Sequence, residues 1–310
     1  MNLIRNENMK IYKRKRTWVM VALVIVYVLI QIINLKTAED TAFGKDWRTK
    51  LEQENISLSK ELEKSNTLII EDKQAKKKLL LNQYYLENNI PPDTNAWSFA
   101  VGQISNIIFA VSLIAIIIGG EIVAAEFGSG TIKLLLTQSA SRTKIYFAKY
   151  TAAILFGLFL TLVGILTAIL FSSFIFGLDG LGDNYFFVKD QTVVGVPILQ
   201  ALIGSYLLNI PFLFLAITLA FMISAAFRST TFSIVISILV TLVGFILSIA
   251  MNGWYWTKYF VFSHTDLNQF IFGTPSVEGM TLGLSVGFII LHLLILHLIS
   301  YPIFVKRDVA

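Results

Sequence analysis

EFGSGTIKLLLTQSASRTKIYFAKY, residues 126–150, separates two long apolar stretches of the chain, 98–120 and 147–176. The insert is too polar to continue either stretch and too short to be a domain, so its role depends on what flanks it. About 20 consecutive apolar residues cross a hydrocarbon core. Six stretches of the 310-residue chain reach that length: 17–35, 98–120, 147–176, 197–226, 231–250 and 281–305. Apart from Lys149 near one end, none holds Asp, Glu, Lys or Arg. Hydrophobic residues make up 55% of the chain and charged residues 15%, a balance that excludes a soluble domain of this size. Lipid offers no partner to the backbone of an open sheet. The expected class is therefore all-α, a polytopic membrane protein with six transmembrane helices in one domain over 1–310.

Lysine and arginine in short flanking loops set orientation. Lys10, Lys13, Arg14, Lys15 and Arg16 precede the first stretch; Lys133, Arg142, Lys144 and Lys149 lie in the insert; Arg228 links the fourth and fifth stretches; Lys306 and Arg307 end the chain. Asp179, Asp183 and Asp190 follow the third stretch on the opposite side. With an even number of spans, both termini and the insert are expected in the cytoplasm of a bacterial cell membrane. The basic residues sit beside the spans, which accounts for the pI of about 9.2 without nucleic acid. The first span lacks an A-x-A-like cleavage site and reads as an uncleaved signal anchor. The chain has no cysteine, which excludes disulfides, thiolate chemistry and cysteine metal sites.

Two outer segments carry their own signals. Residues 36–97 hold DWRTKLEQENISLSKELEK, with Leu51, Leu58 and Leu62 at helical spacing, then a second helical run that stops at Pro91-Pro92. A pair of helices outside the membrane is expected there. NGWYWTKYFVFSHTDLNQFIFG, between the last two spans, is crowded with Trp254, Tyr255, Trp256, Tyr259, Phe260 and Phe262. Such rings favour the headgroup region, so an interfacial or re-entrant helix is expected.

In the insert, Gly128-Ser129-Gly130-Thr131-Ile132-Lys133 does not meet the P-loop spacing, having no glycine before the lysine and no hydroxyl after it. The chain is expected to hold no ATPase, no catalytic constellation and no cofactor or metal of its own. Gly128 and Gly130 break the helix that continues from span two. Residues 131–138 are expected to form a short helix with Leu134, Leu135 and Leu136 on it, and Ser141 to cap the third span. Arg142, Lys144 and Lys149 are expected to anchor that span near anionic headgroups. Such an insert suits either a membrane-surface connector or a docking element.

Polar residues within spans face the bundle interior or a cavity. Gln31, Asn34, Gln103, Asn106 and Asn209 are the candidates, and Pro211, two residues after Asn209, can kink its helix into a gate. Gln103, Asn106, Asn209 and Pro211 are read as translocation-path or packing residues. His292 and His297 lie five apart, on different helix faces, and read as packing groups.

The run from Glu126 through Gly130-Thr131 and Leu134-Leu135 to Ser141-Arg142 and Lys149, with the basic start IYKRKRTW and the outer pair closing at NNIPP, resembles six-span ABC transporter permeases. These are type 2 exporters, similar to the permeases of bacterial antimicrobial-peptide export and immunity systems. Family members often carry proline where this chain has Ser139. The resemblance implies a cytoplasmic coupling region over 121–146, in which Glu126, Gly130, Thr131, Leu134, Leu135 and Arg142 meet a separate ATP-binding subunit that holds ATP and Mg. It implies a non-catalytic permease that pairs with a second copy or paralogue, contacts membrane lipids, and exports an amphipathic or hydrophobic substrate such as a peptide, an antibiotic or a lipid-like molecule. A sensing or immunity module without net transport is the alternative. A membrane enzyme is the third class, and no motif supports it.

Overall fold

The computed structural model describes residues 2–42, 47–64, 69–92, 94–128, 130, 140–227, 229–273, 275 and 277–306. It gives the helices α1 (Asn2–Tyr12), α2 (Lys15–Ala42), α3 (Trp47–Lys64), α4 (Ile69–Glu87), α5 (Ala96–Glu121), α6 (Ala124–Gly128) and α7 (Arg142–Phe176). After these come a hairpin of β1 (Asn184–Lys189) and β2 (Thr192–Pro197), then α8 (Ile198–Phe227), α9 (Thr230–Ala250) and α10 (Leu282–Lys306). Among the described residues six helical stretches are long and apolar enough to cross a membrane: Lys15–Thr37, Ala96–Gly128 (α5 with α6), Arg142–Phe176, Ile198–Phe227, Thr230–Ala250 and Leu282–Lys306. The chain is a multi-pass, essentially all-helical membrane protein. The predicted insert helix over 131–138, with Thr131, Leu134 and Leu135, lies outside the described residues.

α5 and α8 form the centre of the bundle. The apolar windows of these two helices are 72% and 61% buried, against 22% for α9 and 11% for α10, so the last two stand at the periphery of the bundle. Glycine permits the closest approaches. A Cβ on Gly119 of α5 would stand 3.2 Å from both the Ala220 methyl and the Ile217 carbonyl of α8. One on Gly120 would stand 3.2 Å from the backbone nitrogen of Ile234 on α9. Small residues let helix backbones approach in lipid, where dispersion rather than water exclusion holds helices together. At about 1.5 Å per residue, the 35 residues of α7 reach roughly 50 Å, well beyond a ~30 Å hydrocarbon core.

α1 folds back at Lys13-Arg14 and lies along α7. The Thr17 hydroxyl donates to the Ile11 carbonyl (2.5 Å) and the Trp18 indole to the Tyr12 carbonyl (3.1 Å), which fixes the angle of return. The buried Ile11 and the Tyr12 ring against Phe156 and Phe159 fill the contact.

At the other end, α3 and α4 form the expected helical pair. Leu51 is buried between them, and the buried Asn82 amide donates to Glu54 (2.8 Å) and Asn55 (3.1 Å). α2 runs on to Ala42, past the expected boundary at Lys36. The hairpin departs from an all-helical reading. Its turn, Asp190-Gln191, has φ of 47° and 63° at both central residues, the backbone of a type I′ turn without the usual Asn-Gly. Tyr84 and Tyr85 of α4 meet Phe186 of β1, so the pair rests on the hairpin.

The aromatic stretch forms three 3-10 turns, Tyr255–Tyr259, Val261–His264 and Leu267–Phe270, rather than the expected interfacial helix. It is rich in aromatic residues, which are only moderate helix formers, and Gly253 enters it at φ +88°. Trp254, Tyr255, Trp256 and Tyr259 are exposed, while Phe262 and His264 are buried as its pins. His264 Nδ1 lies 2.8 Å from the Ser285 hydroxyl, and Nε2 lies 3.0 Å from the Lys258 carbonyl. A carbonyl only accepts, so Nε2 carries the proton and Ser285 donates to Nδ1.

Candidate functional site, a buried charge cluster at the base of the insert

α5 ends at Glu121 because the next two residues turn. The Ser224 hydroxyl of α8 accepts from the amides of Val123 (3.3 Å) and Ala124 (2.9 Å), satisfying donors at the start of α6. Lys149 of α7 reaches into this turn and donates to the Ile122 carbonyl at 3.2 Å. Lys149 is fully buried, its side chain 1% exposed. Its ammonium also meets Glu7 Oε2 of α1 at 3.0 Å and Glu126 Oε1 of α6 at 2.6 Å. Three donors thus find three acceptors on three elements.

Lys10 closes the arrangement into a ring of alternating charge. Its ammonium lies 2.6 Å from Glu7 Oε1 and 3.1 Å from Glu126 Oε1. A second group sits beside it: Arg14 and Arg16 each approach Glu121 Oε1 at 2.5 Å, and Glu121 is 1% exposed. Glu121 Oε2 has no hydrogen-bond partner among the described residues. Burying an unpaired charge is costly, and the buried Lys149, Glu7 and Glu121 each meet an opposite charge, while Lys10, Arg14 and Arg16 reach them from the exposed rim. Burial raises the Glu7 pKa, but the Lys149 charge and the hydrogen bonds from Lys10 and Lys149 outweigh it and hold the carboxyl below its ordinary value. Burial lowers that of Lys10, and Glu7 and Glu126 outweigh it in turn, so the ammonium stays charged to higher pH than usual.

Among the residues predicted from sequence, Glu126 belongs to this ring. Gly130 is exposed at φ +71°, as a turn there requires. Thr131, Leu134 and Leu135 lie outside the described residues. Arg142, at the far end of the insert, donates to the Val305 carbonyl of α10 at 2.9 Å, and its neighbour Thr143 pairs with Tyr301 (2.9 Å). Ser141 caps α7 as expected. Lys149 does not anchor the span in headgroups; the ion ring takes it inside, and only Lys144 of that trio is exposed. Sequence reasoning missed Glu7, Lys10, Glu121 and the true environment of Lys149. The available signals were an acid inside an otherwise basic N-terminal segment and a lysine one turn inside an apolar run.

The path candidates separate. Gln103 lines a cavity of about 730 Å³ at the opposite end of the bundle, and the Asn106 amide donates to it at 2.9 Å. Asn209 is buried away from that cavity and donates to the Ser205 carbonyl within its own helix (2.8 Å). α8 continues unbroken through Pro211. The two histidines of α10 face different partners: His297 meets the Tyr146 hydroxyl (2.7 Å), and His292 meets the Phe288 carbonyl (2.8 Å).

The profile of a family described as "Protein of unknown function (DUF2705)" matches residues 67–310 of the chain. The uncharacterized protein YhcI of Bacillus subtilis (strain 168) is 33% identical over 317 residues, spanning 100% of this chain and 99% of its own length. The uncharacterized membrane protein YdbK of the same strain is 28% identical over 202 residues, 63% of this chain and 76% of its own length. No solved structure gives a significant match.

Proposed function

We propose that the chain, which belongs to the DUF2705 family, is the membrane-spanning permease subunit of an ABC transporter. A separate subunit hydrolyses ATP, two permease copies (or one copy and a paralogue) work together, and an amphipathic or hydrophobic substrate is exported. The termini and the insert face the cytoplasm. What carries this reading is the anchoring of both ends of the insert. Glu126 is held by the buried Lys149 and by Lys10, and Arg142 by the Val305 carbonyl. A push on the insert therefore reaches α1, α7 and α10 together, as coupling by rigid elements needs. A connector that merely lies on lipid needs no buried ions at its base, where each ion costs desolvation.

The test is purification of the tagged chain from its native membrane in mild detergent, with mass spectrometry of what accompanies it. The expected result is a near-stoichiometric ATP-binding subunit, lost in Leu134→Asp/Leu135→Asp although the variant still inserts. Unchanged recovery in the double variant removes the docking role of these leucines. Recovery of the natural chain without any ATPase, under conditions that preserve a known ABC complex, removes the transporter reading and favours the sensing module.

A further inference from the structure

The cavity of about 730 Å³ lies at the end of the bundle away from the charge ring, where the hairpin and α4 meet the starts of α5 and α8. Its size falls within the roughly 300–1,000 Å³ usual for ligand pockets. Phe99 and Ile198, both buried, form part of the lining, and Leu35 and Gly102 come from the spans themselves. Asp183, Asn184 and Pro91 are exposed, so the mouth opens toward water. Tyr85, Tyr185 and Phe186 supply an aromatic wall.

The charge of the lining is one-sided. Among the described lining residues Asp183 is the one charged group, and no lysine or arginine is among them. Asp183 makes no ion pair among the described residues. Its Oδ2 and the Asn95 amide nitrogen both lie beside Gly180, where a Cβ would fall 2.7 Å and 2.2 Å from them. Asn95 spends its oxygen on capping α5, accepting from Trp97 (3.1 Å) and Ser98 (2.9 Å), and keeps its NH2 as a donor. The first amides of α5 are thereby occupied: Ala96 donates to the Gly177 carbonyl and Phe99 to that of Asn95. The helix start that would otherwise attract an anion is taken. What remains is a carboxylate acceptor beside an amide donor, backed by aromatic faces that attract cations and by an apolar floor.

We propose that this cavity binds a water-soluble cationic amphiphile, its ammonium at Asp183, an acceptor oxygen at Asn95 and an apolar group against Phe99 and Ile198. The inference deepens the proposed function by naming a ligand class, but it needs no ATPase. Binding and subunit recovery are measured separately, so failure of one leaves the other standing.

The experiment uses the full chain in phosphatidylcholine nanodiscs and two fluorescent leucine-rich tetrapeptide amides that differ only in one lysine or glutamate, read by anisotropy against empty nanodiscs. The lysine probe is expected to bind at least tenfold more tightly than the glutamate probe. Asp183→Asn should weaken the lysine probe by about threefold to fivefold, the scale of one exposed ion pair, and leave the glutamate probe unweakened. Gly102→Phe should abolish binding. A Cβ there meets nothing within 4 Å and the residue lies inside a helix, so the ring fills the cavity without disturbing the backbone. Equal binding of the two probes, or lysine-probe affinity unmoved by Gly102→Phe in a variant that keeps the natural melting temperature, overturns the proposal.

Discussion

Replacing Lys149 by Met keeps the length and the apolar stem of the side chain and removes only the ammonium. Glu7 loses the partner at 3.0 Å, Glu126 the partner at 2.6 Å, and the Ile122 carbonyl its donor at 3.2 Å. Breaking a buried ion pair from one side costs about 3–5 kcal/mol. Lys10, 45% exposed, stays within reach of both carboxylates, so the cost here is roughly 2–3 kcal/mol. The tie between α7 and α1 passes through Glu7, so much of that cost appears as release of α1. The chain has no cysteine, so a single Ile11→Cys reports the release cleanly: Ile11 is 3% exposed while α1 is docked. Maleimide labelling through local opening tracks the opening equilibrium. At about 1.4 kcal/mol per factor of ten the full cost corresponds to roughly 30- to 150-fold, which sets the upper bound on how much Lys149→Met should speed labelling. Lys144→Met, an exposed control, should leave the rate within a factor of two. Adding Glu7→Leu to Lys149→Met should recover part of the loss, because one of the two carboxylates left with a reduced share of positive charge is gone. A rate in Lys149→Met within twofold of the parent would falsify the claim that the ion ring holds α1.

The same reporter should show a pH window. A Glu7 pKa held below its ordinary 4.5 means the docked state binds fewer protons, so docking is intact above 4.5 and weakens as pH falls through the lowered value; Glu7→Gln should remove that dependence. Lys10, raised above its ordinary 10.5, contributes fully below 10.5 and fails only as pH climbs past the raised value. At the other end, burial lowers the His264 pKa, against the Lys258 carbonyl and with His292 nearby. The folded aromatic loop then favours the neutral ring and loses stability as pH falls from 6.5 through the lowered value. Fluorescence of Trp254 and Trp256 should change over that range in the natural chain and not in His264→Gln. Gly120→Val, whose Cβ meets the Ile234 backbone at 3.2 Å, should cost about 1–3 kcal/mol by forcing α5 from α9, visible as a lower melting temperature in detergent.

The spans were legible because lipid imposes a length and excludes charge, and both are written along the chain. Residues 197–226 and 281–305 differ by only a residue or so from Ile198–Phe227 and Leu282–Lys306 at each end. The helical pair was legible through Leu51, which is buried where its spacing put it. The hairpin was not, because Asp190-Gln191 reaches positive φ without glycine or asparagine and NYFFVK alternates too weakly to mark a half-buried strand. The ion ring was invisible for a different reason. Glu7 and Lys149 are 142 residues apart and meet only because α1 folds back along α7.

Lysine near a span end has two destinations, and local sequence does not distinguish them. Lys144 and Lys149 lie on the same helix, five residues apart, yet one is exposed and the other is 1% exposed with three acceptors. Five residues turn a helix by well over one full turn, so the two side chains leave it on different sides, and only the side of Lys149 faces α1 and the break between α5 and α6. The decision is therefore made by the Ile122-Val123 turn, because an uninterrupted α5 would carry Glu126 elsewhere. Ser224 stabilises that turn from α8. A hydroxyl on one span, a break in a second and a lysine on a third thus fix where Glu126 stands, and with it the direction in which the chain enters the insert.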